Sequence, residues 1–132
     1  MYESIMYSKS RKIGNIGEDV ACEFLRRKGY KVILRNYLKA YGEIDIVAEY
    51  RGTVRFLEVK TVTREKTAGI SREMSHRPED QIHPMKIKKI MRVAETYMLE
   101  MKDKREYQID AVTVYMDISS KFARCSLFEQ IL

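Results

Sequence analysis

The sequence predicts a single α/β domain in which a central, mixed five-stranded sheet is flanked by helices, in the order α-β-β-β-α-β-β. Three observations carry this prediction. Two segments repeat apolar residues every three or four positions, five segments are rich in β-branched and aromatic residues, and 132 residues of which 45% are hydrophobic suffice for one core. We therefore expect one domain over 1–132, with a flexible tail over 1–10.

The first helix and the first three strands are predicted within the first 60 residues. The helix spans 11–28, because its apolar residues share one face and Gly29 supplies a C-terminal stop. The strands span 30–37, 43–50 and 53–60.

A two-residue loop, Arg51-Gly52, joins the second strand to the third and predicts a hairpin in which Asp45 lies opposite Glu58. Side chains alternate along a strand, so each face of the hairpin can be assigned. One face is predicted to carry Asp45, Val47, Val54, Phe56, Glu58 and Lys60, and the other Ile44, Ile46, Ala48, Leu57 and Val59. Both faces are largely apolar, which favours a central hairpin covered on two sides.

The second half of the chain begins with a polar and partly basic segment over 61–81, which we interpret as a long loop. A second helix is predicted over 84–101, and two last strands over 107–115 and 122–128. Asp110 lies within an apolar strand, so we expect it to be structural and paired with a Lys or Arg.

The net charge of +6 is concentrated in residues 60–105, which hold 12 basic and 7 acidic side chains. This excess fits a nucleic acid, an acidic protein, an anionic membrane or simple solubility. No apolar stretch approaches the roughly 20 residues that span a bilayer, so we expect no membrane association and a cytoplasmic location. Cys22 and Cys125 have neither zinc-site nor disulfide-framework spacing, and both are expected to be core thiols.

Two carboxylates and one ammonium, those of Asp45, Glu58 and Lys60, are predicted to share one face of the hairpin. Adjacent buried carboxylates are unfavourable unless a cation offsets them, and such hard oxygen ligands suit Mg²⁺. Lys60 would then hold or deprotonate an attacking water. Glu18 is a further candidate ligand, against the alternative of a solvated helix charge. The alternative for the whole cluster is a buried ion pair that only stabilises the hairpin.

The ordered motifs resemble those of the YraN-type family of small uncharacterised proteins. The resemblance rests on GNIGEDVACEFLRRKGYKVILRNY over 14–37 and GEIDIVAEYRGTVRFLEVKT over 42–61, followed by KIKKIMRVAETYM over 86–98 and YQIDAVTV over 107–114. It implies a restriction-endonuclease-like fold of the PD-(D/E)xK superfamily, similar in core to Holliday-junction resolvases.

The resemblance also implies roles for individual residues. Carried over by position, Glu18, Asp45, Glu58 and Lys60 would be catalytic, and a Mg²⁺ or Mn²⁺ ion would be bound by Glu18, Asp45, Glu58 and the backbone carbonyl of Val59. The residue before Asp45 is not the proline of the superfamily name, and residues 63–81 match poorly, which leaves the substrate-facing loop undefined.

A basic surface follows the predicted metal centre along the chain and is expected to contact nucleic acid phosphates. It comprises Lys86, Lys88, Lys89, Arg92, Arg64 and Lys66, with a solvated helix face as the alternative. The leading hypothesis is a metal-dependent nuclease that hydrolyses DNA phosphodiester bonds, branched DNA included, and a homodimer would suit paired strands. The alternatives are a non-catalytic nucleic-acid-binding module on the same fold and a protein-interaction adaptor.

Overall fold

A five-stranded sheet forms the centre of the protein in the computed structural model, which describes residues 9–64 and 84–132. Side chains are described from residue 12 onward and not at residue 64. The elements are α1 (Lys9–Arg27), β1 (Lys31–Lys39), β2 (Gly42–Tyr50), β3 (Thr53–Arg64), α2 (Pro84–Glu100), β4 (Tyr107–Asp117) and β5 (Phe122–Phe128). None of the helices in these described parts is both long and apolar enough to cross a bilayer.

The strands lie in the order β1-β2-β3-β4-β5, which confirms the predicted mixed α/β sheet and its element order. The first three strands form an antiparallel meander, β4 pairs parallel to β3, and β5 pairs antiparallel to β4. A parallel pair needs a crossover, and α2 lies within the connection that returns the chain from β3 to β4. This architecture is compatible with the restriction-endonuclease-like class.

The two sheet faces bury separate apolar clusters, one on each side of the β2–β3 hairpin. Val47, Val54 and Phe56 pack with the buried face of α2, whereas Ile46, Ala48 and Leu57 pack with that of α1. The predicted faces are thus confirmed for these residues. The assignment of Ile44 is wrong, because Ile44 packs with the α2-side cluster and not with Ile46.

Several element ends differ from the sequence prediction. Helix α1 begins at Lys9, so residues 9–10 of the expected tail are helical, and β3 continues through Arg64, so residues 61–64 of the expected loop are strand. The β3 extension pairs residue for residue with β4, which supplies backbone partners that a local sequence pattern does not reveal. The remainders of both segments, 1–8 and 65–83, lie outside the described residues.

A buried ion network ties the C-terminal residues to the sheet. Asp110 is fully buried, its carboxylate accepts a hydrogen bond from the backbone N–H of Gln130 at 2.8 Å, and the Arg55 guanidinium lies 3.5 Å away. Arg55 also donates to Glu129 at 2.9 Å. The predicted pairing of Asp110 with a Lys or Arg is therefore confirmed, and the partner is Arg55.

Both cysteines are free thiols on the α1 side of the sheet. Cys22 is buried in the cluster, as predicted, whereas Cys125 is only partly buried and packs against it.

Candidate metal centre

The β2–β3 hairpin begins with a tight turn and opens at the end where the carboxylates lie. Arg51 and Gly52 both have left-handed φ angles, 50° and 77°, which match a two-residue hairpin turn. The backbone ladder then runs in the predicted register only as far as Ile46 and Leu57.

Beyond that point the side chain of Asp45 takes over the pairing. Its Oδ2 accepts a hydrogen bond from the backbone N–H of Val59 at 2.8 Å, so the predicted ladder pair of Asp45 and Glu58 is replaced by a side-chain contact. The ladder ends because the Val59 donor, one residue past Glu58, is already bound to a carboxylate.

Asp45 and Glu58 form a carboxyl pair at the open end of the hairpin. Glu58 is 5% exposed and Asp45 is partly buried, and the charge of Glu58 acts directly on Asp45. Burial, and then the neighbouring charge of Glu58, raise the pKa of Asp45 to about 7, although the Val59 N–H opposes the shift. Near neutral pH the pair therefore holds a proton or requires a compensating cation.

Lys86 supplies one such cation from the start of α2. Its ammonium forms a close ion pair with Oε2 of Glu58. Partial burial disfavours the charged ammonium, but the hydrogen bond and charge of Glu58 outweigh it, so the pKa of Lys86 is raised. The sequence predicted a phosphate contact for Lys86; in the structure its side chain reaches the carboxyl pair.

A cleft of about 460 Å³ opens above the carboxyl pair, between the β2–β3 hairpin and the first turns of α2. Its lining includes Asp45, Glu58, Lys86, Glu43 and Lys89. The carboxyl pair is thus accessible from one side, as a metal and substrate site must be.

The charge of Asp45 acts on Glu18, but the hydrogen bonds of Glu18 are to residues of β1. Its Oε1 accepts from Asn36 at 3.1 Å and from Arg35 at 3.5 Å, both on β1. Burial and then the charge of Asp45 raise the pKa of Glu18. Glu18 is therefore electrostatically linked to the pair, and no longer fits the alternative of a fully solvated helix charge.

The position of Glu18 depends on Gly17, the preceding residue. A Cβ on Gly17 would lie 2.0 Å from Oγ1 of Thr61 on β3, so the helix can lie this close to the strand only with glycine here. In the Gly-Glu pair at 17–18, the glycine thus allows α1 to pack closely on β3, and the glutamate places a charge near Asp45.

Lys60 lies on the same side of β3 as Glu58 by strand alternation, and it is exposed. Its register partner in β4 is Thr113, which is buried. The described part of the chain offers the Thr113 hydroxyl no hydrogen-bond partner.

The described residues contain no group of three His, Cys, Asp or Glu side chains placed to hold a metal ion together. The structure brings together Asp45 and Glu58, with Glu18 at a greater distance. Metal ligation by Asp45, Glu58, Glu18 and the Val59 carbonyl stays a prediction, as does the role of Lys60. The donor chemistry of the pair fits a hard divalent cation, because two neighbouring carboxylates supply oxygen ligands and their mutual repulsion would be relieved by a positive charge.

The basic residues of α2 line a second, adjoining cleft of about 610 Å³. Lys88, Lys89 and Arg92 line it, and the Arg92 guanidinium lies 4.0 Å from the ring centroid of Tyr41. All three are exposed, as phosphate contact would require. Lys66 and the side chain of Arg64 lie outside the described residues.

Asn36 is a site residue that sequence reasoning missed. It lies within β1 at a left-handed φ of 54° and donates hydrogen bonds to Glu18 and, at 3.5 Å, to Glu43. Asparagine adopts this backbone conformation more readily than other non-glycine residues. An Asn inside an otherwise β-forming run was the available signal.

Comparison with known sequences agrees with the order of these motifs. The model described as "Uncharacterised protein family UPF0102" matches residues 17–114. The chain belongs to this family. The UPF0102 match starts at the Gly17-Glu18 pair and ends within β4, so it includes Asp45, Glu58 and Lys60.

Relatives in the UPF0102 family align along most of their length. A UPF0102 protein of Caldicellulosiruptor saccharolyticus is 35% identical over 120 residues, which cover 90% of this chain and 95% of the relative. One of Helicobacter hepaticus is 35% identical over 122 residues, covering 92% and 96%. One of Persephonella marina is 34% identical over 102 residues, covering 76% and 81%.

Proposed function

We propose that this protein is a metal-dependent nuclease that hydrolyses DNA phosphodiester bonds, branched DNA included. The observation that carries the proposal is the Asp45–Glu58 carboxyl pair at the open end of the hairpin, in which Glu58 is buried and both side chains line a cleft. Neighbouring acids that are withdrawn from water reduce stability, and groups with such perturbed pKa values concentrate at functional sites.

Asp45 and Glu58 would hold a Mg²⁺ or Mn²⁺ ion, completed by Glu18 and the Val59 carbonyl. A bound divalent ion would act as a Lewis acid toward a phosphodiester and its attacking water. Lys60, exposed on the same side of β3, would hold that water and stabilise the negative charge that develops as the water loses its proton to solvent. The water oxygen would then form a bond to phosphorus as the bond to the leaving sugar oxygen breaks, and that oxygen would take up a proton from solvent.

Lys88, Lys89 and Arg92 would bind neighbouring phosphates of the same substrate. Their cleft adjoins that of the carboxyl pair, and Lys89 and Gly42 line both. A positive surround is needed because the acidic centre alone would repel DNA. The proposal includes a cytoplasmic location. It also includes a homodimer, since the paired strands of a branched substrate suit a two-fold assembly.

The test combines metal binding with cleavage. We would titrate Mn²⁺ calorimetrically and assay duplex, single-stranded and branched DNA with the wild type, Asp45→Ala and Glu58→Ala. Glu95→Ala removes an exposed acid from α2 and is the matched control. We expect both hairpin variants to lose Mn²⁺ binding and cleavage while the control keeps them. Unchanged Mn²⁺ affinity and cleavage in the hairpin variants would refute the assignment.

A second candidate is a nucleic-acid-binding module without catalysis on the same fold. The Lys86–Glu58 ion pair favours it, because it already neutralises one carboxylate within the protein. This alternative predicts DNA binding that depends on salt but not on metal. It also predicts that the acid-to-Ala variants change stability without changing DNA affinity.

A further inference from the structure

The Lys86 side chain bridges two environments. Its ammonium contacts Glu58, whose side chain is 5% exposed, while the Lys86 side chain itself is 57% exposed. Lys86 is the third residue of α2 and lies where the carboxyl-pair cleft opens. A mostly solvated lysine thus places its charge on a buried carboxylate.

This contact occupies one oxygen of Glu58, a carboxylate that the proposed metal ion would share with Asp45. A lysine ammonium is a compact point charge on a flexible stem, so it can occupy and leave such a position without movement of the backbone. Lys88 has the same charge and lies on the same helix, but it faces the adjoining basic cleft and does not line the carboxyl-pair cleft.

We propose that Lys86 is a tethered competitor for the divalent cation: the metal displaces its ammonium from Glu58, and the released side chain then binds substrate phosphate. The inference rests on the metal centre of the proposed function and deepens it. The stem of Lys86 is already solvent-exposed, and its helix carries the basic cleft, so a released ammonium lies beside the other phosphate-binding cations. Metal binding and DNA binding would thereby be coupled through one side chain.

The first test measures metal affinity without nucleic acid. Mn²⁺ is titrated into the wild type, Lys86→Met, Lys86→Arg and Lys88→Met at one pH. Removing the competitor should make Mn²⁺ bind about threefold to fivefold more tightly to Lys86→Met, the upper part of the range expected for loss of one partly exposed ion pair. Lys86→Arg keeps the competing charge and should stay within about twofold of the wild type, as should Lys88→Met.

The second test uses the salt dependence of DNA binding to detect the release of Lys86 by a divalent ion. A fluorescein-labelled duplex is titrated in Ca²⁺, which avoids cleavage, and in EDTA, over a range of salt. The slope of log affinity against log salt should steepen on adding Ca²⁺ by about 0.9 more in the wild type than in Lys86→Met, the value for one added phosphate contact.

Three results would overturn the inference. Equal or weaker Mn²⁺ binding by Lys86→Met relative to Lys88→Met removes the competition but leaves the metal centre standing. An equal Ca²⁺ effect on the two salt slopes removes the phosphate contact. Absence of Mn²⁺ binding in all four proteins removes the metal centre as well, and with it the proposed function.

Discussion

Replacing Asp45 by asparagine should make the metal-free protein more stable at alkaline pH. The asparagine oxygen still accepts the hydrogen bond from the Val59 N–H, which spans 2.8 Å in the wild type. Its amide group donates to Glu58, so the buried contact survives without the second acid. Asp45→Asn thus removes the electrostatic penalty and keeps the shape.

The size of this effect follows from the pKa of Asp45, which is raised from 3.8 to about 7. A carboxyl whose pKa is raised on folding favours the native state while it holds its proton. That stabilisation is complete below the unfolded pKa and is lost as pH rises through the folded one. Between about pH 5 and pH 8 the wild type should lose about 2–3 kcal/mol of unfolding free energy relative to Asp45→Asn.

The assay is urea denaturation of both proteins in a metal chelator at several pH values, with Glu95→Gln as the control. Titrating groups that do not interact with Asp45 contribute equally to all three proteins, so the difference between wild type and Asp45→Asn reports the titration of Asp45 together with the groups coupled to it. Glu95→Gln should follow the wild type, because Glu95 is exposed. If the difference between wild type and Asp45→Asn is the same at pH 5 and pH 8, the carboxyl pair is not coupled as described.

Three further changes probe packing, buried charge and the basic cleft. Gly17→Ala places a Cβ 2.0 Å from a β3 hydroxyl and should cost about 1–3 kcal/mol in urea denaturation, whereas Gly14→Ala meets no atom within 4 Å and should stabilise α1 by about 0.5–1 kcal/mol. If both variants lose free energy of unfolding, the cost of Gly17→Ala would come from changing a glycine in α1 and not from the contact with β3. Arg55→Met leaves the buried Asp110 without its cation and should lower the free energy of unfolding by about 3–5 kcal/mol in urea denaturation. A change near zero would show that this ion network contributes little stability. The double variant Lys88→Ala/Lys89→Ala should lower the salt slope of duplex binding by about 1.8, measured by fluorescence anisotropy. An unchanged slope would leave these lysines as a solvated helix face.

The sequence predicted the fold because the relevant signals were local. The Arg51-Gly52 dipeptide fixed the hairpin turn, and alternation then assigned Val47 and Phe56 to one face and Leu57 to the other. An aspartate in an apolar strand was enough to predict a buried partner for Asp110. Each of these inferences needs only neighbouring residues.

The arrangement of the candidate centre was less accessible, because it depends on contacts between distant segments. The pairing of Lys86 with Glu58 requires knowing where α2 enters relative to β3. The end of the β2–β3 ladder depends on a side chain of Asp45 that competes with the backbone for one N–H. Periodicity describes regular strands and so cannot report where regularity stops.

The crossover between β3 and β4 also bears on the order of events during folding. Asp45 and Glu58 come from a hairpin closed by a two-residue turn, so they can approach early, while still hydrated. They lose water only when α2 and β4 dock, after the long connection has closed. The repulsion between the acids should therefore become strong only late in folding. A bound divalent ion should then slow unfolding more than it accelerates folding.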